Sequence, residues 1–537
     1  MNHPDVPSTD WWKTGLIYHI YPRSFCSSYG GETGDVPGIL SRLDYLEDLG
    51  VDAIWTSPFY PSPDVDFGYD ISDYLGVDER MGTLSDVDDL ISGLHGRGMR
   101  LIIDGVFNHC SAEHPWFKRA LEGESRDYFI WRDGSRLNNW ASAFGGRAWS
   151  SLGDEAYFHG FHPRQPDLNW RNPEVVDAVL RVMKTWYDRG VDGFRLDVFN
   201  SYIKDVEFRD NPWRRDLLGV IGRVLFPYIG QRHIYDRDRP ELLPILKKMR
   251  LLCDEKDDRV LIGETLDERF RYEKAHEYCG PERLHLVFNF GLLHSRWGAG
   301  RFARSIEAWA NSLGPQQWPT WVVSNHDFSR AASRWRFDAE DKKGKLVAMM
   351  LCSLRGVPFL YYGDELGMRD LSLSRRQILD PPGRRFWPFY KGRDRYRAPM
   401  SWTAQKDAGF GTDSPWLPFS ADWRQRNVAT QRADPNSLLN CWRTLIALKR
   451  KYSVLRWGEM FVSHQKGVLF IRRTLNTSVS LTALNMTRSV RRLHLDTVNG
   501  VFSPLFKTDP KARFQKRDLI LPGLGGGVWL KERDVIY

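Results

Sequence analysis

Short apolar runs, rich in β-branched and aromatic residues, recur along most of the chain. Turn residues bound these runs, and the stretches between them carry apolar residues three and four positions apart, as on one face of a helix. Gly50 and Gly190 stand where two of these helices would end. The eight runs lie at 17–22, 53–59, 101–106, 193–198, 260–264, 286–290, 321–325 and 358–363. Eight strands joined by helical crossovers predict an α/β fold, the (β/α)8 or TIM barrel.

Two stretches depart from this rhythm. More than eighty residues separate the third run from the fourth, and they are rich in Trp, Gly, Asn and Arg, with no long helical period before 174. This predicts an inserted subdomain after strand 3, at 107–173. From about 457 the pattern changes to short alternating runs, which predict a C-terminal antiparallel β domain at 457–537. The barrel itself would then comprise 1–106 and 174–456.

The composition fits a large domain with satellites, because 42% of the 537 residues are hydrophobic. No stretch approaches the roughly 20 apolar residues of a membrane helix, and the start lacks the pattern of a secretory signal. We therefore expect a cytoplasmic protein that does not engage a membrane. The six cysteines are scattered without a CxxC pair, so neither a zinc site nor a disulfide framework is indicated.

The net charge of +8 could suggest a nucleic-acid partner. However, the 76 basic residues are spread along the chain beside 68 acidic ones, as on an ordinary mixed surface. We expect no nucleic-acid partner. Aromatic residues make up 13% of the chain and suit the faces of sugar rings, although the same residues also fill protein cores.

Four acidic residues stand at or after the ends of predicted strands: Asp104, Asp197, Glu264 and Asp327. A single such carboxylate is often structural, for example as a helix cap. In a parallel barrel, however, the C-terminal ends of the strands converge on one face, so these four side chains should meet. Hydrolysis of a glycosidic bond needs a group that protonates the departing oxygen and a carboxylate opposite the developing cation, and this set contains such a pair.

Neighbouring residues suggest separate roles for the carboxylates. Arg195 precedes Asp197 by two positions and shares its face of the strand, so it would keep Asp197 ionised for nucleophilic attack. Glu264 follows an apolar strand, where burial would raise its pKa and keep it protonated as an acid. Asp327 would clamp sugar hydroxyls. His326 beside it reads either as a second sugar contact or as a satisfied core histidine.

Five segments together resemble the conserved regions of glycoside hydrolase family 13, the α-amylase superfamily, in its α-glucosidase and oligo-1,6-glucosidase branch. The similarity covers essentially the whole chain. The segments are DGVFNH (104–109), QPDLNW (165–170), GFRLDVFN (193–200), GETLDE (263–268) and SNHD (324–327).

The resemblance implies a retaining mechanism with Asp197 as nucleophile, Glu264 as general acid/base and Asp327 as the third catalytic carboxylate. It implies that FGYDISDY (67–74) closes the pocket beyond the non-reducing end, which means exo-action on one glucose at a time. The implied substrate contacts are Asp66, Tyr69, His109, Arg195, His326 and Arg397, with Phe144 and Phe161 as stacking residues.

The residue after the nucleophile faces the leaving group in this branch. Valine there accompanies α-1,6 linkages, whereas alanine or threonine accompanies α-1,4 linkages. This chain has Val198, and together with QPDLN it favours small isomaltose-like sugars as partners.

Two segments depart from the family pattern. Many relatives carry a calcium loop where this chain has Ser27 to Asp35, and several expected oxygen ligands are here Ser, Tyr or Gly. We therefore expect no bound metal and no cofactor. In RAPMSW, Ala398 and Ser401 replace the usual Thr and Gln, which suggests an altered acceptor side.

Three other readings stay open. The same site could pass the glucosyl group to a sugar or alcohol, as transglucosidases and sucrose isomerases do, or it could prefer α-1,4 bonds or sucrose. A reading of a different class is a barrel that has lost catalysis and serves as an interaction module, although such relatives typically lose carboxylates that this chain keeps. The oligomeric state stays undetermined.

Overall fold

The computed structural model describes residues 10–266, 272–495 and 501–531. The strands are β1 Ile17–Ile20, β2 Ala53–Thr56, β3 Arg100–Gly105, β4 Trp131–Asp133, β5 Trp149–Leu152, β6 Glu155–Phe158, β7 Gly193–Leu196, β8 Val260–Gly263, β9 Leu286–Val287, β10 Thr320–Val322, β11 Val357–Tyr361, β12 Glu459–Gln465, β13 Val468–Leu475, β14 Ser478–Asn485, β15 Arg491–His494, β16 Ser503–Lys507, β17 Arg513–Gln515, β18 Asp518–Leu521 and β19 Gly526–Lys531.

The helices are α1 Trp11–Thr14, α2 Val36–Leu40, α3 Leu43–Leu49, α4 Leu84–His95, α5 Pro115–Leu121, α6 Pro173–Arg189, α7 Leu217–Leu225, α8 Pro227–Gly230, α9 Leu242–Cys253, α10 Tyr272–Tyr278, α11 Gly291–His294, α12 Ala299–Ser312, α13 Ala331–Arg334, α14 Lys342–Ser353, α15 Pro381–Arg385, α16 Val428–Ala433, α17 Leu438–Lys451 and α18 Ser453–Trp457. Among the described residues, none of these helices is long and apolar enough to cross a membrane.

Eight parallel strands form a nearly closed barrel, which confirms the predicted fold class. Their order is β10-β11-β1-β2-β3-β7-β8-β9, and each of the eight predicted runs supplies one strand. Between the described strands β9 and β10 there is no backbone ladder. There the Thr320 hydroxyl donates to the Val287 carbonyl at 2.8 Å, so a side chain bridges the seam.

Alternating side chains explain why the strand runs are apolar throughout. Ile17, Trp55 and Ile262 belong to one buried cluster, contributed by alternate positions of the barrel strands. Their chain neighbours Ile54 and Leu261 belong to a second buried cluster shared with the surrounding helices. Because side chains alternate between faces, a strand buried on both faces needs apolar residues at nearly every position.

The helices end as the sequence predicts. Gly50 and Gly190 follow α3 and α6 with φ angles of 90° and 115°, the left-handed conformation that glycine adopts without strain. At the other end of α6, the Asn172 side chain accepts from the Glu174 amide and caps the helix.

Smaller sheets flank the barrel. Between β3 and β7 the strands β4, β6 and β5 form an antiparallel sheet in that order. At the C-terminal end lie a five-stranded sheet, β12-β13-β14-β19-β16, and a three-stranded sheet, β15-β18-β17, both antiparallel. The domain boundaries at 107–173 and 457–537 stay predictions. All six cysteines are buried as free thiols.

Candidate active site

Arg195 in β7 holds three of the predicted carboxyl groups together. One guanidinium nitrogen, Nη1, donates to Asp104 Oδ1 at 2.9 Å and to Asp197 Oδ1 at 2.8 Å. The other, Nη2, donates to Glu264 Oε2. Asp104 lies near the end of β3, Asp197 directly follows β7, and Glu264 directly follows β8. Three adjacent strands of the barrel therefore converge on one fully buried cation.

Burial dominates the protonation of this cluster. It raises the pKa of Asp197 well above the ordinary carboxyl value and also raises the pKa of Glu264, while the Arg195 guanidinium opposes both shifts. The pKa of Asp104 rises to about 6 for the same reason. Two neighbouring carboxyl groups with raised pKa values can hold a proton between them near neutral pH. The pair can thus present one acid and one carboxylate.

The second group of site residues forms a chain from Asp327 to Asp104. His326 Nε2 lies 3.2 Å from Asp327 Oδ2 and 2.7 Å from the Tyr69 hydroxyl oxygen. The Tyr69 hydroxyl lies 2.9 Å from Asp104 Oδ2 and can donate to it. Burial lowers the pKa of His326 well below its usual value, so the ring is neutral. It is buried like a core histidine, yet it also lines the pocket described below.

Asp66 and Arg393 form an ion pair at the buried end of the site. Arg393 Nη2 lies 2.6 Å from Asp66 Oδ1 and 2.6 Å from Asp380 Oδ1. The Gln165 amide donates to Asp66 Oδ2 at 3.2 Å and lies 3.2 Å from His109 Nε2. Arg393 and Gln165 are functional candidates that sequence reasoning missed. Gln165 begins the quoted QPDLNW segment and could have been found there, whereas Arg393 lies in an irregular loop.

Arg397 supports the site from behind. Its Nη2 lies 3.3 Å from Asp327 Oδ1, its Nε donates to the His326 carbonyl at 3.0 Å, and the side chain is fully buried. Like Arg195, it is not among the pocket-lining residues. Ala398 and Ser401, from which the sequence analysis inferred an altered acceptor side, are also fully buried and do not line the pocket.

The site opens into a pocket of about 700 Å³, whose lining includes Asp66, Tyr69, His109, Asp197, Glu264, His326, Asp327 and Arg393. Phe144 and Phe161 line it and meet edge to face, with ring centroids 5.7 Å apart. Val198 also lines the pocket and has a φ of 37°, a left-handed conformation that is rare for a β-branched residue. Such backbone strain beside a candidate nucleophile is typical of functional sites.

Two segments that sequence reasoning did not assign to the site complete the pocket. One runs from Phe226 into the short helix α8 as far as Ile229, and the other contributes Pro382 of α15 with Phe386, Phe389 and Tyr390 after it. Neither segment is long enough to show hydrophobic periodicity, so the sequence carries no signal of where it lies beyond its aromatic content. The last two residues of the quoted segment 263–268 lie outside the described residues.

In the loop from Ser27 to Asp35, the second of its two acidic residues has a local structural role. Asp35 accepts from the Gly38 amide at 2.6 Å and from the Ser28 amide at 2.8 Å. The first contact caps helix α2. The Asp35 carboxylate is therefore engaged by the backbone on both oxygens.

Comparisons with known proteins identify the family of this chain. Residues 19–458 match the alpha-amylase catalytic domain family. The chain is 41% identical over 492 residues to a probable alpha-glucosidase of Rhizobium meliloti strain 1021, covering 88% of this chain and 89% of that protein. It is 34% identical over 524 residues to an oligo-1,6-glucosidase of Parageobacillus thermoglucosidasius, covering 89% and 90%.

Among solved structures, the fold is similar to that of an alpha-glucosyl transfer enzyme, XgtA. The TM-score is 0.91 at 37% identity, with 97% of this chain and 99% of that chain covered. The resemblance stated from the sequence motifs is confirmed. The chain belongs to the alpha-amylase family of glycoside hydrolases, in the branch that contains alpha-glucosidases and oligo-1,6-glucosidases.

Proposed function

We propose that the chain is a retaining, exo-acting α-glucosidase that releases glucose from the non-reducing end of short α-glucosides, with a preference for α-1,6 bonds. The observation that carries this proposal is the Arg195 cluster, in which one guanidinium contacts the carboxyl groups of both Asp197 and Glu264. A carboxyl pair at the strand ends of a barrel, bordering a sugar-sized pocket, is the minimum equipment for glycoside hydrolysis.

In the first step, the Asp197 carboxylate attacks the anomeric carbon of the bound glucosyl unit. A C–O ester bond forms to Asp197 as the glycosidic bond breaks, and the proton of Glu264 passes to the departing oxygen. The Arg195 contact holds the attacking carboxylate in place, because its Nη1 lies 2.8 Å from Asp197 Oδ1. Burial raises the pKa of both carboxyl groups, so the pair can hold one proton, and in this mechanism Glu264 carries that proton when Asp197 attacks.

In the second step, the Glu264 carboxylate takes a proton from water, and the water oxygen displaces Asp197 from the anomeric carbon. Two inversions at this carbon leave the α configuration unchanged. Both steps use carboxyl groups of this chain as acid, base and nucleophile.

The ion pair at the buried end supports exo-action. Arg393 and Asp66 contact each other beside His109 and Gln165, and the Asp66, Arg393 and Gln165 side chains are at most 12% exposed. In this proposal, the terminal glucosyl unit lies between this pair and the carboxylates, with its hydroxyls facing charged groups. We therefore assign the non-reducing end of the substrate to the Asp66 side.

The α-1,6 preference rests on Val198, which follows the nucleophile and lines the pocket. The oligo-1,6-glucosidase named above is one of the relatives that match most of the chain. The substrates we propose are isomaltose and similar small α-glucosides.

Azide rescue would test the roles of the two carboxyl groups with α-glucosyl fluoride as donor. We expect Asp197→Ala to lose about 10⁴-fold in kcat. Azide would then attack once and give the β-glucosyl azide. Glu264→Ala should still form the ester, and azide should displace it to give the α-glucosyl azide. Asp177→Asn, on the exposed face of α6, serves as a control that should keep the wild-type rate.

The stereochemistry of the azide products decides the assignment. If Asp197→Ala gave the α product and Glu264→Ala the β product, the two roles would be exchanged. If Asp197→Ala retained wild-type turnover of the fluoride, the proposed active site would be wrong.

A further inference from the structure

Two buried aspartates lie behind the ion pair of Asp66 and Arg393. Asp70 contacts the Asp66 side of the pair, and Asp380 contacts the Arg393 side. Both aspartates are fully buried, and neither is among the residues that line the pocket, whereas Asp66 and Arg393 both line it. An effect of Asp70 or Asp380 on a bound sugar therefore has to pass through the pair in front of them.

Asp70 holds the backbone of the segment that presents Asp66. Its Oδ2 accepts from the Val65 amide at 2.9 Å, and its Oδ1 accepts from the Asp66 amide at 2.9 Å. The Ser62 hydroxyl also donates to Oδ1, at 2.9 Å. Burial raises the pKa of Asp70 to about 6, so the group is a carboxylate at neutral pH and can accept on both oxygens.

This segment needs an anchor because its backbone is strained. Asp64 and Phe67, on either side of Asp66, have φ angles of 62° and 50°, a left-handed conformation that residues other than glycine rarely adopt. Such a conformation persists only where surrounding contacts hold it. The amide bonds to Asp70 are contacts of this kind. Losing one of them should let Asp66 move relative to the pocket.

Asp380 fixes the other half of the pair. Its Oδ1 accepts from Arg393 Nε at 2.8 Å and lies 2.6 Å from Arg393 Nη2. Its Oδ2 accepts from the Arg393 amide at 3.2 Å and from the Gly383 amide at 3.1 Å. Arg393 Nη2 is thus shared between Asp380 and Asp66. Because the guanidinium is planar and rigid, it can turn only by breaking one of these contacts.

We propose that Asp70 and Asp380 are positioning residues that set the selectivity for the terminal glucosyl unit, because they fix the two halves of the Asp66–Arg393 pair. The inference rests on the proposed function, which assigns the non-reducing end of the substrate to this pair. The C4 hydroxyl lies opposite the anomeric carbon of the ring, so it is the hydroxyl that faces the pair. A pair held at a fixed position requires this hydroxyl, whereas a pair that can shift tolerates its loss.

Hydrolysis of p-nitrophenyl α-glucoside and of its 4-deoxy analogue tests this proposal. Because the analogue leaves the buried pair without a hydroxyl partner, we expect the wild type to prefer the parent glucoside by about a hundredfold in kcat/KM. Asp70→Asn and Asp380→Asn keep the side-chain shape but turn one acceptor into a donor, which faces an N–H group in either orientation. We expect each variant to lower the preference to about tenfold, mainly through a higher KM for the parent glucoside.

Two further variants complete the set. Asp35→Asn is the matched control, because Asp35 is also buried and its two oxygens accept from the Gly38 and Ser28 amides, but it does not line the pocket. It should lower the thermal midpoint and leave the preference at the wild-type value. Ser62→Ala removes one donor to Asp70 and is a milder variant that folds more readily; we expect it to lower the preference by about threefold.

The outcomes separate this inference from the proposed function. If the wild type hydrolyses neither glucoside, the proposed function fails. If it hydrolyses both with the same kcat/KM, the function stands and the inference is overturned, because the pair then does not recognise the terminal hydroxyl. The inference is also overturned if the folded variants of Asp70, Asp380 and Ser62 lose activity toward both glucosides by the same factor, since a purely structural role has that effect.

Discussion

Replacing Arg195 with methionine would remove a buried cation that contacts three carboxyl groups. The guanidinium is fully buried, and it also lies over the Trp55 ring, 5.0 Å from its centroid. Methionine has a similar length and can fill part of the space without a charge. The substitution therefore leaves Asp104, Asp197 and Glu264 in an apolar setting without their shared partner.

The expected cost follows from these contacts. Removing one partner of a buried ion pair typically destabilises a protein by about 3–5 kcal/mol. The carboxyl groups can avoid part of this cost by keeping their protons, and one unit of raised pKa corresponds to about 1.4 kcal/mol. A loss of about 3 kcal/mol thus equals a combined rise of about 2 pKa units over the three groups.

The sign of the pH dependence follows from these raised pKa values. A carboxyl group whose folded pKa exceeds its unfolded pKa stabilises the fold at low pH, and this stability is lost as the pH rises through the folded pKa. Arg195→Met raises the folded values further above those of the wild type. Asp104 in the wild type has a pKa of about 6. The loss of stability in the variant, relative to the wild type, should therefore grow as the pH rises above about 6.

Thermal midpoints of both proteins at pH 5.5 and pH 8.0 would measure this effect. We expect the midpoint of the variant to lie further below the wild type at pH 8.0. The matched control is Arg473→Met, because Arg473 is also fully buried but donates to the carbonyls of Ser353, Leu455, Arg456 and Gly458. The thermal midpoint of Arg473→Met should lie equally far below the wild type at both pH values. The reasoning would be refuted if the midpoint of Arg195→Met were lowered equally at the two pH values, or more at pH 5.5.

Three further predictions concern the pocket. Val198→Thr keeps the side-chain shape, and we expect it to shift the kcat/KM ratio of maltose to isomaltose upward by about tenfold; an unchanged ratio would contradict the role given to Val198. Lys204→Met removes the ammonium that lies 2.6 Å from Asp167 and 3.0 Å from Asn108, next to His109, so KM for isomaltose should rise more than kcat falls. Gly145→Ala places a Cβ 2.5 Å from Phe386 Cζ at a φ of 94°, and we expect this to lower the thermal midpoint and raise KM. A wild-type midpoint would show that Phe386 can move away without cost.

Much of the fold was predictable because local signals agree with the tertiary structure. Each barrel strand is a short apolar run; Asp104, Asp197 and Glu264 lie near the ends of three runs, and Asp327 follows a fourth. Parallel topology brings such positions together without further information. The pairing of Arg195 with Asp197 was also visible, since the two lie on one face of a strand.

Long-range contacts and irregular loops were not predictable. That Arg195 also contacts Asp104 and Glu264 depends on the order of neighbouring strands, which no local pattern states. Arg393 reaches Asp66 across 327 positions of sequence from a loop without periodicity. Likewise, Phe389 lines the pocket and is 84% exposed, but an aromatic residue in an irregular segment does not show from sequence whether it is buried.

Because no backbone ladder joins β9 to β10 among the described strands, these two are the edge strands of the eight-stranded sheet, and they face each other across the gap. Glu264 belongs to the edge formed by β8 and β9, whereas His326 and Asp327 belong to the edge formed by β10. Going round the sheet, these edges are separated by seven backbone ladders, and across the gap they are joined by the Thr320 hydroxyl bond. A glucosyl unit that contacts both Glu264 and Asp327 would bridge these two edges. Substrate binding would then stabilise the barrel between β9 and β10, where no backbone hydrogen bonds connect the described strands.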